Sequence, residues 1–149
     1  MMPRLQEIIS QFQDVDGGLL PLLHEIQSAF GYVPREAEPE IAKALNLTRA
    51  DVHGVISFYH DYRRAPAGRH VLKLCRAEAC QSMGSEAQAK ALLDHLGLNW
   101  GETSADGRIT IEAVYCLGLC ATAPSALFDD QPIGRTNAGR LITLAEAAA

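Results

Sequence analysis

Val71-Leu72-Lys73-Leu74-Cys75-Arg76-Ala77-Glu78-Ala79-Cys80 and Ile109-Thr110-Ile111-Glu112-Ala113-Val114-Tyr115-Cys116-Leu117-Gly118-Leu119-Cys120 hold all 4 cysteines of this 149-residue chain. The thiols fall as Cys75-x4-Cys80 and Cys116-x3-Cys120, with 35 residues between the pairs. Each pair follows an apolar, partly β-branched alternating run, the pattern of a strand. Two strand ends that deliver two thiols each, with none left over, bring four sulfurs to one place. That arithmetic points to a metal centre.

Four chemistries compete for such sulfurs. Disulfides need an oxidising compartment, and Met1-Met2-Pro3-Arg4-Leu5-Gln6-Glu7 lacks the apolar core of a secretory signal. A dithiol oxidoreductase uses Cys-x-x-Cys, which neither pair has. Structural zinc takes four thiolates in pairs spaced by two to four residues. A [2Fe-2S] cluster takes two thiolates on each of two irons, and two pairs match two irons. The loop residues favour the cluster over zinc: apart from Arg76 and Glu78 they are small or apolar, as are Ala121-Thr122-Ala123-Pro124 after the second pair. Small residues let backbone N–H groups approach sulfur, and apolar ones limit water.

Cys75-Arg76-Ala77-Glu78-Ala79-Cys80-Gln81-Ser82-Met83-Gly84, with Cys116-Leu117-Gly118-Leu119-Cys120 and Pro124, resembles the thioredoxin-like [2Fe-2S] ferredoxins. Within them it is similar to the 24-kDa subunit type of respiratory NADH dehydrogenase and its relatives in NAD-dependent formate dehydrogenases and hydrogenases. Gly54-Val55-Ile56-Ser57-Phe58-Tyr59 shares the likeness, which therefore spans nearly the whole chain. The resemblance implies one [2Fe-2S] cluster on Cys75, Cys80, Cys116 and Cys120, no catalytic residue, and a partner flavoprotein that binds FMN and NAD. The cysteine context looks most like the gamma subunit of a soluble, molybdenum-dependent, NAD-linked formate dehydrogenase. That implies a further partner carrying the molybdenum cofactor and iron–sulfur clusters. The equivalent subunits of respiratory NADH dehydrogenase and of bidirectional hydrogenase stay open, as do a zinc-stabilised adaptor and a free ferredoxin shuttle.

The expected fold is α/β: a thioredoxin-like [2Fe-2S] domain with a β-α-β-β-α core and a short extra strand, preceded by a small N-terminal helical bundle. Leu5, Ile8, Ile9 and Phe12 predict a helix from Arg4 to about Gln13, and Leu19, Leu22, Leu23, Ile26 and Phe30 a second one that Gly31 stops. A third is expected from Pro34 and Pro39 to about Asn46, and a fourth from Arg49 to about His60, capped by Thr48 with Asp51 near the positive end of the dipole. Phe58 and Tyr59 read as core, and His53 and His60 as structural or surface residues. Tyr62 to Arg69 reads as a linker, which puts the bundle at 1–65 and the ferredoxin domain at 66–149. The bundle is expected to serve as a docking element.

After the linker come a strand from His70 to Leu74, a helix with Ala87, Ala91, Leu92 and Leu96 on its inner face, and the strand into Cys116. Ser125 to Phe128 is a third strand, Asp129 to Pro132 a turn, Ile133 to Arg135 a short fourth strand, and Ala138 to Ala147 a closing helix with Leu141, Ile142 and Leu144 inward. Ala123-Pro124 is a candidate cis peptide, although most X-Pro bonds are trans. With 48% hydrophobic residues the chain can fill a core, and no apolar run approaches the roughly 20 residues of a membrane span. Direct membrane insertion is not expected. A net charge of −5 without a basic cluster argues against nucleic acid. No G-x-G-x-x-G or Walker A loop occurs, so nucleotide is expected on a partner. The short N-terminus suits a bacterial cytoplasmic assembly.

Overall fold

The computed structural model describes residues 2–148. The chain divides into two compact units, Met1–Pro66 and Ala67–Ala149. The first unit contains α1 (Met2–Ser10), α2 (Leu19–Phe30), α3 (Ala37–Ala44) and α4 (Arg49–Phe58). Gly31 closes α2 at φ 80, a left-handed backbone suited to glycine, and its N–H bonds the Gln27 carbonyl. A reciprocal capping box opens α4: Asp51 N–H donates to Thr48 Oγ1, and Thr48 N–H donates to the Asp51 carboxylate. Two helices are shorter than their periodicity predicts. Beyond Ser10 the backbone tightens into i→i+3 turns, although Phe12 still packs on the core. Pro34 lies in the turn before α3 and accepts the Ala37 N–H, whereas Pro39 sits in the first turn, where its missing N–H costs little.

The core of this unit is built on Leu5, Leu22, Leu23, Ile26, Ile41 and Val52, all at most 1% exposed. Each such side chain stabilises the fold by about 1.5–3 kcal/mol. Phe58 and Tyr59 do not join it. They are 72% and 44% exposed, because α4 ends at Phe58 and the extended backbone at Tyr59 carries both rings past the Val52 and Ile56 stripe. The segment after them is no loose linker at its start. Tyr62 is buried and its hydroxyl donates to the Leu20 carbonyl; the Gln27 side-chain amide donates to Asp61 O and accepts from Arg63 N–H, both at 2.7 Å. Arg64 then pairs with Glu38, which is only 2% exposed.

The second unit contains β1 (His70–Cys75), α5 (Glu78–Ser82), α6 (Ser85–Leu96), β2 (Ile109–Val114), a 3₁₀ turn (Cys120–Thr122), β3 (Ala126–Phe128), β4 (Gln131–Ile133) and α7 (Ala138–Ala147). The sheet order is β2-β1-β3-β4. β1 and β2 run parallel, from His70 opposite Ile109 to Cys75 opposite Val114, with α6 in the crossover. β3 and β4 complete the sheet as an antiparallel hairpin. Asp129 and Asp130, at φ 48 and 65, form its two-residue turn, so β4 starts at Gln131 rather than Ile133. Pro132 is tolerated because β4 is an edge strand.

Leu72, Ile109, Ile111, Leu92 and Leu141 form the core between sheet and helices. α6 turns a different face inward from the expected one. Its buried stripe is Ser85, Ala89 and Leu92, spaced i, i+4, i+7 from a start just after Gly84, and Ala87 is exposed. α7 buries Leu141 and Ala145. Its last turn is closed from outside the helix by Arg108, whose Nη1 lies 3.0–3.2 Å from the carbonyls of Ala145, Glu146 and Ala148. The Ala123–Pro124 peptide is cis.

Candidate metal centre

The parallel pairing of β1 and β2 places the two cysteine loops side by side. Cys75 is the last residue of β1, opposite Val114, and the ladder runs on through Arg76 N–H to Val114 O at 2.8 Å. Cys116 follows β2 by two residues and Cys120 opens the 3₁₀ turn. Cys80 sits on α5, a one-turn helix where the sequence pattern predicts only loop. Cys75 and Cys80 are 2% and 1% exposed, while Cys116 and Cys120 face outward. All four are free thiols, and Cys116 Sγ and Cys120 Sγ stand 3.6 Å apart, well beyond a disulfide bond.

Backbone N–H groups converge on the sulfurs. Cys116 has φ 75, a rare value for a residue with a side chain, and Gly118 has the same φ. This winding aims the N–H groups of Cys116 and Leu117 at Cys75 Sγ, with a third from Ala77, and the Gly118 N–H at Cys116 Sγ, 3.4 Å away. Such concave runs of N–H groups bind anions and recur around iron–sulfur sites. Burial pushes the Cys75 thiol up, but the donors from Ala77, Cys80, Cys116 and Leu117 outweigh it and leave Cys75 below its ordinary value. Cys120 is pushed up, first by its hydrogen bond and charge interaction with Cys116, then by burial and the nearby Cys80 and Cys75. The four sulfurs therefore feel one another. They repel as thiolates unless a positive centre lies among them.

Two residues around the loops gain partners that spacing alone does not reveal. Arg76 is clamped: Nε and Nη2 donate to the Glu86 carboxylate at 2.8 and 3.0 Å, its guanidinium lies 4.8 Å from the Trp100 ring centroid, and it interacts with the Tyr115 hydroxyl. Ser125, 3% exposed, places its hydroxyl 3.4 Å from Cys80 Sγ and its carbonyl on the Cys75 N–H. Sequence reasoning misses Ser125 as a site residue, and its one visible signal is a small polar side chain entering an otherwise apolar strand. His53, in the other unit, is engaged with Glu38 and Arg64.

The donor set fits two irons better than one zinc. Among the described residues no three His, Cys, Asp or Glu side chains are placed to share a single ion, as tetrahedral zinc requires. Two separated thiol pairs with N–H donors to sulfur suit a sulfide-bridged diiron core. The family model for thioredoxin-like [2Fe-2S] ferredoxins matches residues 5–149. The chain belongs to that family. A thioredoxin-like [2Fe-2S] ferredoxin carries one such cluster, and its chemistry is one-electron transfer.

This ferredoxin is 33% identical over 143 residues to a subunit of NADH-quinone oxidoreductase from Pseudomonas aeruginosa, covering 96% of this chain and 86% of that one. It is 36% identical over 127 residues to the NADH-quinone oxidoreductase subunit of the same name from Aquifex aeolicus, covering 85% and 79%. It is 30% identical over 135 residues to the HndA subunit of the NADP-reducing hydrogenase of Solidesulfovibrio fructosivorans, covering 91% and 79%. Among solved structures, a chain of an NAD+-reducing [NiFe]-hydrogenase superposes with a TM-score of 0.72 at 28% identity, covering 87% of this chain. The ferredoxin spans only 22% of that hydrogenase chain. Among the described residues no helix is long and apolar enough to cross a membrane.

Proposed function

We propose that Cys75, Cys80, Cys116 and Cys120 hold the cluster, and that the chain is the electron-transfer subunit beside an FMN flavoprotein in an NAD(H)-linked oxidoreductase complex. The observation that carries the reading is the convergence of two thiol pairs and four backbone N–H donors at the ends of β1 and β2. Four thiolates outweigh an oxidised diiron core by about two negative charges, and one added electron makes about three. The N–H groups around Cys75 and Cys116 stabilise that charge, and the buried pair keeps water from one side of the site. A hydride carrier delivers two electrons together, so a flavin on another chain is the adaptor.

Within that class we assign the chain to a soluble, molybdenum-dependent, NAD-linked formate dehydrogenase, on the context Arg76-Ala77-Glu78-Ala79 and Gln81-Ser82-Met83-Gly84. The partners are then the flavoprotein and a catalytic subunit with the molybdenum cofactor, in the bacterial cytoplasm. The second reading, a subunit of NADH-quinone oxidoreductase or of an NAD-reducing hydrogenase, is supported by the names of the relatives. Defined mixtures separate them. The purified chain should not oxidise NADH; with its flavoprotein the cluster signal should become reducible by NADH, and with the molybdenum subunit also by formate. Copurification with quinone-reductase membrane subunits or a nickel hydrogenase would select the second reading. Catalytic reduction of the isolated chain by NADH would defeat both.

The helical unit Met1–Pro66 is assigned to docking, since it has its own core and presents Phe58 and Tyr59 outward. A fragment of residues 67–149 should keep iron and sulfide yet capture the flavoprotein at least tenfold more weakly, about 1.4 kcal/mol. Undiminished capture in a pull-down titration would refute the assignment.

A further inference from the structure

We propose that Ser125 is a positioning residue for electron transfer: its buried hydroxyl donates a hydrogen bond to the Cys80 sulfur and makes the cluster easier to reduce. The inference rests on the cluster reading above. Ser125 Oγ lies 3.4 Å from Cys80 Sγ, and the two residues are 3% and 1% exposed. When Cys80 is a metal-bound thiolate it has no proton to give, so the hydroxyl is the donor. Two backbone restraints hold it there. The Ser125 carbonyl accepts the Cys75 N–H at 3.1 Å, which ties the residue to the end of β1, and the next residue, Ala126, pairs with Leu74 across the sheet. The hydroxyl is therefore locked beside the sulfur by the same ladder that positions Cys75.

A hydrogen bond to sulfur withdraws negative charge from the ligand, and it strengthens as that ligand gains charge on reduction. The reduced form gains more than the oxidised form, so the donor raises the potential. Burial enlarges the effect, because no water competes for the hydroxyl and the local dielectric is low. Cys75 already receives three backbone N–H groups, which no side-chain substitution removes. Ser125 is the donor to this buried pair that sequence can vary, and so the adjustable one.

The test is a redox titration of the full chain, followed by the paramagnetic signal of the reduced cluster. Iron and acid-labile sulfide are assayed first. Failure of the wild-type chain to hold them defeats the cluster reading and is thereby distinguished from failure of this one. In S125A the reduced-to-oxidised ratio at the wild-type midpoint should fall about tenfold, ~59 mV for a one-electron couple, and S125T should restore most of it. Should S125A shed its cluster, S125T against S125V makes the same comparison, since Thr keeps the hydroxyl and Val replaces it with a methyl. A midpoint in S125A, or in S125V relative to S125T, that is unchanged or higher would overturn the proposal. A purely structural hydroxyl would alter retention or melting and leave the midpoint where it was.

Discussion

Cys116→Ser protein prepared without oxygen is expected to lose most of its iron and acid-labile sulfide, while the unfolding of the helical unit stays unchanged. Serine offers a hard oxygen where a soft thiolate is required, and it withdraws one of the two anions that face the second iron. The affinity loss should exceed the roughly 10- to 100-fold typical of an outer-shell partner. Cys116 is a sharper choice than Cys75 or Cys80 because it is exposed, so its replacement leaves the core intact. Its φ of 75 is also held by the loop rather than by the thiol, since Gly118 continues the turn. Full retention of iron and sulfide by the variant would remove Cys116 from the proposed ligand set. Zinc at one per chain without sulfide in the wild type would replace the cluster reading with a structural one, against the two-pair geometry.

Glu38→Ala is expected to destabilise the helical unit by about 3 kcal/mol, roughly 12–24 °C in melting temperature for a unit of this size. Glu38 is 2% exposed and serves Arg64, Arg49 at 3.4 Å and His53 Nδ1 at 3.4 Å. Its removal leaves Arg64 partly buried without its anion. Because the chain has two units, the transition to follow is that of the helical one. Acid adds a second signature. Burial pushes Glu38 up, but its hydrogen bonds from Arg64 and His53, the Arg64 charge and the bond from Arg49 outweigh that and hold it below the ordinary carboxylate value of 4.5. A carboxylate lowered by folding contributes stability that is complete above its unfolded value and fades as pH falls from about 4.5 through the folded one. The wild-type unit should therefore lose stability in that acid window, and Glu38→Gln should show a flatter acid limb. Parallel acid limbs in the two proteins would remove Glu38 from that role.

The metal centre was legible because its signal is local. Thiol spacing and the apolar alternation before Cys75 and Cys116 survive in one dimension, and a parallel pair joined by a helix brings two strand ends together whatever the rest of the chain does. Helix caps at Gly31 and Thr48 were legible for the same reason. Other features depend on which way an element turns. The inner face of α6 was misjudged, with Ala87 for Ala89, because a helix of alanines, polar residues and a few leucines presents several faces of similar apolarity. Phe58 and Tyr59 carry apolar area but lie where α4 stops, so end geometry rather than hydropathy exposes them. The first part of the expected linker proved fastened to the helices through Gln27 and Glu38, partners 26 to 36 residues away that no window of sequence would connect.

By itself the sequence determined that four thiols in two pairs close a helical-then-α/β chain around one centre, since ligand number and spacing are covalent facts of the chain. Tertiary structure alone decided what surrounds those thiols. The clamp of Glu86 and Trp100 on Arg76, the N–H groups aimed by the left-handed backbone at Cys116 and Gly118, and the Ser125 hydroxyl beside Cys80 each join residues distant in sequence or depend on one backbone angle. Sheet register and the burial it imposes select those contacts.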